Sequence, residues 1–114
     1  MKKVIIIGAS GHGKVVADII KANKDIVLGY LDDDLSKNCL GIIESYVNYP
    51  DAFFVIAIGD AQDRALISNK VHAKWYTAIH PTAIVSPSAH IGAGTVVMAN
   101  AVINADAVIG NHCI

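Results

Sequence analysis

Six residues near the amino terminus, Gly8-Ala9-Ser10-Gly11-His12-Gly13, carry the first chemical signal in this 114-residue chain. They follow the apolar run Val4-Ile5-Ile6-Ile7 and precede Lys14 to Lys24, where Val15, Val16, Ile19 and Ile20 recur at helical spacing. A glycine-rich turn between a buried strand and a helix lets the backbone approach a ligand. The free N–H groups at the helix start attract anions, above all a diphosphate. The spacing G-x-x-G-x-G differs from the dinucleotide fingerprint G-x-G-x-x-G, so the turn reads either as a phosphate cradle or as a tight bend. Ser10 suits a hydroxyl donated to phosphate or a helix cap. His12 suits a ligand contact or an imidazole satisfied by local backbone.

Acidic residues at strand ends would complete such a site. Asp32 and Asp33 close the strand Ile26 to Leu31, about 20 residues beyond the turn, where a carboxylate accepts from ribose hydroxyls or a base. An ordinary Asp-rich turn is the alternative. Gly59 and Asp60 end the next buried strand, Phe53 to Ile58, and reach the same carboxyl edge. Arg64 falls one turn into the following helix, Ala61 to Val71, and suits an exposed side chain or one reaching a phosphate, with exposure the expectation. His80 belongs to a corner before Pro81, whereas His90 and His112 are expected to point outward as surface groups. Cys39 and Cys113 lie far apart in no Cys/His ligand spacing, so two reduced thiols and no metal are expected.

The elements that must position these groups fall into two halves. Strands alternating with helices over residues 1–78 predict an α/β class fold, a small Rossmann-like parallel sheet with Lys74 to Ile79 as its last strand. Leu35 to Pro50 reads as a short strand or a helical turn. Near Thr77 to Pro81 the period changes with no linker, so the halves should be rigidly joined. Every sixth residue from there is a β-branched aliphatic: Ile79, Val85, Ile91, Val97, Ile103 and Ile109. Ala83, Ala89, Thr95, Ala101 and Ala107 each follow four places later, as turns of a parallel β-helix require. Six residues make a side roughly 20 Å long and three sides close a coil, so residues 79–114 supply about two coils. Ile84, Val96, Val102 and Val108 alternate with the interior set, and a symmetric trimer would bury them. An uncovered coil end leaves unpaired backbone and an open apolar lumen, so further chain or a cover is expected past Ile114.

Composition narrows the function classes. A net charge of −1, with no basic run beyond Lys2-Lys3, gives no footprint for nucleic acid or an acidic membrane. The longest clean apolar run, Val4 to Ile7, is far short of the ~20 residues that cross a bilayer. Polar residues between Gly8 and Lys14 interrupt what a signal peptide would need. A cytoplasmic protein is the expectation.

The start Val-Ile-Ile-Ile-Gly-Ala-Ser-Gly-His-Gly-Lys, the Asp32-Asp33 pair, Ala57-Ile58-Gly59-Asp60 and the hexapeptide opening His80-Pro81-Thr82-Ala83 together resemble one bacterial family. It is the sugar acyltransferase family of sialic acid O-acetyltransferases and PglD-type N-acetyltransferases of UDP-4-amino sugars. The resemblance runs the length of the chain, although family members continue through further coils. It implies a left-handed β-helix that assembles as a homotrimer. It also implies a UDP- or CMP-linked nucleotide sugar, or a free sugar, in the Rossmann-like half, and acetyl-CoA as co-substrate between neighbouring helices. By match of motif, Gly8, Ser10, Gly11, His12, Gly13, Asp32, Asp33, Gly59 and Asp60 would be the nucleotide-sugar contacts. The family's general-base histidine lies in a later hexapeptide, in a stretch resembling Asn-Thr-x-x-x-x-x-His, which these residues do not contain. No catalytic residue is therefore assigned. A catalytically incomplete, trimeric nucleotide-sugar-binding module is the alternative expectation. An NAD-linked oxidoreductase is a third, disfavoured by the short sheet and the lack of a substrate domain.

Overall fold

The computed structural model describes all 114 residues. Strand β1 (Lys3–Ile7) is the hub of a four-stranded parallel sheet of order β2-β1-β3-β4, with β2 at Ile26–Leu31, β3 at Phe53–Ile56 and β4 at Lys74–Trp75. Because successive side chains point to opposite faces, the run Val4 to Ile7 supplies both cores. Val4 and Ile6 join Val16, Ile19 and Ile20 of helix α1 (Gly11–Ala22). Ile5 and Ile7 join Phe54, Ile56 and Val71, roofed by Ile67 of helix α2 (Ala61–Lys70) and by Ile43 and Tyr46 of a 3₁₀ segment (Ile43–Asn48).

Two sequence expectations need correction here, and one left open is decided. Helix α1 starts at Gly11 rather than Lys14. Glycine suggests loop, yet in a first turn its propensity cost is small, and Gly13 lies so close to β1 that a Cβ would collide with the Gly8 carbonyl oxygen. Of the two readings of Leu35 to Pro50 the helical turn is found, as the 3₁₀ segment, preceded by a single bridge from Gly41 to Leu31 rather than a strand. Lys74 to Ile79 is not one strand. Only Lys74 and Trp75 pair with β3, whereas β5 (Ala78–Ile79) turns away to pair with β8 (Val96–Val97).

From β5 onward the chain winds in three-sided coils. The other sides are β6 (Ile84–Val85) against β9 (Val102–Ile103) and β7 (His90–Ile91) against β10 (Val108–Ile109), each parallel pair offset by eighteen residues. The corners show why the hexad needs small or turn-forming residues. Gly94, Asn100, Asp106 and His112 all adopt left-handed φ, between +53° and +75°, and Asn, Asp and His are the non-glycine types that tolerate it. Hydroxyls of the first coil receive the corner N–H groups of the second: Thr82 Oγ1 from Asn100 at 3.1 Å and Ser88 Oγ from Asp106 at 3.0 Å.

One side of the coil is not free. Ala78 and Val96 belong to the α1 core, and Val96 is 3% exposed. Val96 points out of the coil as expected, but the α/β half covers that side, so it is not free for the trimer contact expected of it. Ile84, Val102 and Val108, at 67%, 61% and 76% exposed, do face outward. At the opposite end of α1, Asn23 Nδ2 donates to the Ile79 carbonyl at 2.9 Å, and the Tyr76 hydroxyl donates to Asp25 Oδ2 at 2.7 Å. Burial and that carboxylate push the Tyr76 phenol up to about 12.

This asymmetry is measurable. Val96→Ala should cost about 2 kcal/mol of stability in chemical denaturation, from lost burial plus a cavity. Val102→Ala should change it by less than about 0.5 kcal/mol.

Candidate functional site

The carboxyl edge of the sheet gathers the glycine turn, the ends of β2 and β3, and the starts of both helices. Gly8 leaves β1 at φ +110°, a conformation that L side chains resist, and a Cβ there would also meet the Ala57 carbonyl oxygen at 2.8 Å. Its N–H donates to the Leu31 carbonyl at 2.8 Å. The turn is then tied to β2 by Asp32, whose Oδ2 accepts from the Ala9 N–H at 2.9 Å while Oδ1 accepts from the Asp34 N–H at 2.8 Å. Burial acts to raise the Asp32 carboxyl, but these two bonds and the Lys37 ammonium outweigh it and hold the group below its ordinary range. Asp32 thus shapes the turn with both oxygens occupied.

Ser10 is the N-cap of α1, yet its side chain makes no cap bond, and the first turn holds no acidic residue. The N–H groups of that turn have no intrahelical partner, and the carboxylate at the positive end of the helix is that of Asp32, reached through the Ala9 N–H rather than from within the turn. Lys37 lies over it. Its Nζ donates to Ser10 Oγ at 2.7 Å and sits 3.7 Å from Asp32 Oδ2. Sequence reading missed Lys37, although a basic residue closing an Asp-rich turn is the signal that could have found it.

Gly8, Asp32 and Asp33 line one hollow of about 330 Å³, together with Ile43, Ile67 and Lys70. A larger hollow of about 580 Å³ adjoins it between the 3₁₀ segment and α2, sharing Asp33, Ile43, Ile67 and Lys70. Gly59 and Asp60 line neither. Asp60 instead caps α2, its Oδ1 accepting from the Asp63 N–H at 2.9 Å. Gly59 offers its carbonyl to Arg64 at 2.8 Å.

Arg64 is half-buried, contrary to expectation. Its guanidinium donates to the carbonyls of Ile58 and Gly59 at the end of β3 and to that of His112 in the coil, at 2.9, 2.8 and 3.0 Å. His112 is not a surface group either. It is half-buried, edge-on to Trp75 with ring centroids 4.4 Å apart, and packed over Gly94, where a Cβ would collide with the imidazole. Hexad counting places His112 at a corner, but cannot say that this corner meets Trp75. His12 Nε2 and His112 Nδ1 are both shut off from solvent without a hydrogen-bond partner. Burial, then the nearby Arg64 charge, lowers both imidazoles below 6.5.

A family model described as the PglD N-terminal domain matches residues 3–71. The chain belongs to that family. Within and beyond it, this PglD-type chain is 42% identical over 112 residues to UDP-N-acetylbacillosamine N-acetyltransferase of Bacillus subtilis (strain 168), covering 86% of this chain and 52% of that protein. Its fold matches PerB from Caulobacter crescentus, solved with CoA and GDP-perosamine, at a TM-score of 0.86 and 35% identity over 97% of this chain and 58% of that one. It also matches the acetyltransferase domain of PglB from Neisseria gonorrhoeae FA1090, solved with acetyl coenzyme A, at 0.87 and 34%, covering 97% and 60%. The chain spans about half the length of the Bacillus relative.

Two outcomes follow from the geometry. Gly13→Ala should destabilise the fold by about 1–3 kcal/mol through its clash with Gly8, while Gly11→Ala, with nothing within 4 Å of the added Cβ, should be neutral or stabilising by up to about 1 kcal/mol. Because the two histidines titrate lower folded than unfolded, their contribution to stability is complete above about pH 6.5 and is lost as pH falls from there toward the folded values. The melting temperature should drop between pH 7.5 and 5.5, and His112→Gln should flatten that slope.

Proposed function

We propose that this chain is the nucleotide-sugar-binding half, with the first coils of the acyl-transfer half, of an acetyl-CoA-dependent N-acetyltransferase acting on a nucleotide-linked amino sugar. One observation carries the reading. A glycine turn whose helix start has no side-chain cap is joined through a shared core to a three-sided coil, in a chain that superposes on two acetyltransferases solved with CoA or acetyl-CoA.

In this reading the diphosphate sits on the turn, where Gly8, Gly11 and Gly13 let the backbone come close, Ser10 and His12 add side-chain contacts, and Lys37 supplies a cation. Asp32 positions that turn, and Asp33 faces the nucleoside. Gly59 and Asp60 set the start of α2 beside the sugar. The sugar amine attacks the thioester carbonyl of acetyl-CoA, the C–N bond forms as the C–S bond breaks, and the amine proton passes to a general base. None of the histidines in these residues takes that role. The resemblance puts the base in a later hexapeptide of a left-handed coil, whose CoA groove lies between subunits of a homotrimer. Ile84, Val102 and Val108 supply the apolar area for that contact. The domain division proposed at residues 78 and 79 falls inside β5 (Ala78–Ile79), where the binding half passes into the assembling half. A cytoplasmic site, where acetyl-CoA is made and the free Cys39 and Cys113 stay reduced, completes the reading.

Thermal shift tests it directly. A UDP- or GDP-linked amino sugar at one hundred times its Kd should add about 2.7 kcal/mol of stability, and Gly13→Ala should abolish the effect at ligand concentrations where the variant is still folded. A shift with NAD and none with any nucleotide sugar would overturn the assignment.

A further inference from the structure

We propose that His112 is a proton-operated latch on the junction between the two halves: neutral, it leaves Arg64 tying the coil corner to the end of β3, and protonated it breaks that tie, so that the coil pivots about the Asn23 end. The inference concerns the junction alone and does not depend on what the glycine turn binds. Two polar ties hold the coil to the α/β half from opposite ends of the junction. At one, Asn23 Nδ2 donates to the Ile79 carbonyl. At the other, the Arg64 guanidinium donates to the carbonyls of Ile58 and Gly59 and, through Nε, to that of His112. The second tie therefore runs through a residue type that titrates near neutral pH.

The surroundings of His112 admit the neutral ring and oppose the charged one. The imidazole is edge-on to Trp75 and packed over Gly94, and its Nδ1 is shut off from solvent with no hydrogen-bond partner. A neutral ring can carry its hydrogen on Nε2 and leave Nδ1 a bare lone pair, whereas an imidazolium must place a hydrogen on both. Protonation thus buries a donor without an acceptor, near a guanidinium that cannot give up its own charge. The other groups around it bring no relief. The coil presents Cys113 next to His112, and β4 presents the uncharged Trp75, since Lys74 is turned to the Asp51 carbonyl and the Phe53 ring. His12, from the first turn of α1, is a second titratable group within range of the Arg64 charge, with an equally unpartnered Nε2. The chain's one ion pair joins Lys37 to Asp32, so no carboxylate neutralises either imidazole. Burial, then the Arg64 charge, accordingly lowers the His112 imidazole.

The charged ring has somewhere to go. His112 and Arg64 border a hollow of about 440 Å³ between α2 and the coil corner, lined also by Ser68, Asn69 and Asn111. Turning out into that hollow hydrates the imidazolium. It also removes the ring that packs the corner down on Trp75 and Gly94, so the His112 carbonyl is no longer held at the guanidinium. The opposite end has no such trigger. There the Asp25 carboxyl is held below its ordinary range by the Lys2 N–H and the Tyr76 hydroxyl, and the Tyr76 phenol is pushed up to about 12, so both keep their charge state across the range in which a histidine titrates. The apolar contact of Ala78 and Val96 with α1 likewise contains nothing that takes a proton.

Trp75 is the only tryptophan in the chain, so its fluorescence reports on the imidazole beside it. Between about pH 8 and 5 the emission of the 114-residue chain should change reversibly while far-ultraviolet circular dichroism stays constant. The midpoint should lie below 6.5. His112→Asn keeps a residue type that tolerates the left-handed corner, as Asn100 does, and should abolish the change; His12→Gln should leave it. In the natural chain, hydrogen exchange of the Arg64 Nε–H followed by NMR reads the tie itself. Its protection factor should fall by about tenfold or more at about pH 5.5, while that of the Asn23 side-chain amide holds. Emission that is flat across this range, a midpoint at or above 6.5, as an imidazolium held by the indole face would give, or a transition that survives in His112→Asn would overturn the latch. Equal loss of protection at Arg64 and Asn23 would overturn it too, because the junction would then be opening as a whole rather than at one end.

Discussion

Burial of one side of the coil against helix α1 is the contact on which the rest of this molecule depends. Ala78 and Val96 sit in the same apolar cluster as Val16, Ile19 and Ile20, so neither half has a complete core alone. A sheet of four short strands and two coils of two-residue strands are each below the size at which burial reliably exceeds the entropy of ordering the chain. Joined, they share that burden. The Asn23 bond to Ile79 and the Arg64 bond to His112 then fix the angle between the halves from opposite ends of the junction.

That rigidity matters for the chemistry proposed. Acyl transfer requires the amine and the thioester carbonyl to meet within a few tenths of an ångström of the reactive geometry. If the nucleotide is held in the α/β half and the acyl donor along the coils, a hinge between them would spread the reactants over many unproductive positions. Here Arg64 ties the end of β3, at the carboxyl edge of the sheet, straight to the coil. An arginine suits this position because its planar fork satisfies several carbonyls at once.

Periodicity made the architecture legible, because interior positions of a strand or coil are set by local repeat. The hexads from Ile79 and the apolar run Val4 to Ile7 predicted the elements found, whereas the second half of the glycine turn is already the first turn of α1. Contacts between elements were not legible. Val96 and Val102 occupy equivalent hexad positions, and only the placement of α1 makes one buried and the other exposed. Arg64 and His112 look like surface residues because nothing within a few residues of either reveals a partner 48 positions away. In the site, Asp32 and Asp33 were indistinguishable as sequence; their partners separate them, Asp32 accepting from the Ala9 N–H of the glycine turn and Asp33 from the Ile43 N–H of the 3₁₀ segment.

The corner hydroxyls described above give the coil a property that strand pairing alone would lack. Two corner N–H groups of the second turn, those of Asn100 and Asp106, dock on hydroxyls of the first, Thr82 and Ser88, and the third, that of His112, docks on the Ala93 carbonyl, so one winding acts as a mould for the next. Length changes in evolution are thereby channelled: a single inserted residue would throw every later corner off its oxygen, whereas duplication of a whole winding would preserve the match. A fold copied in this manner can lengthen by gene duplication without relearning how to turn.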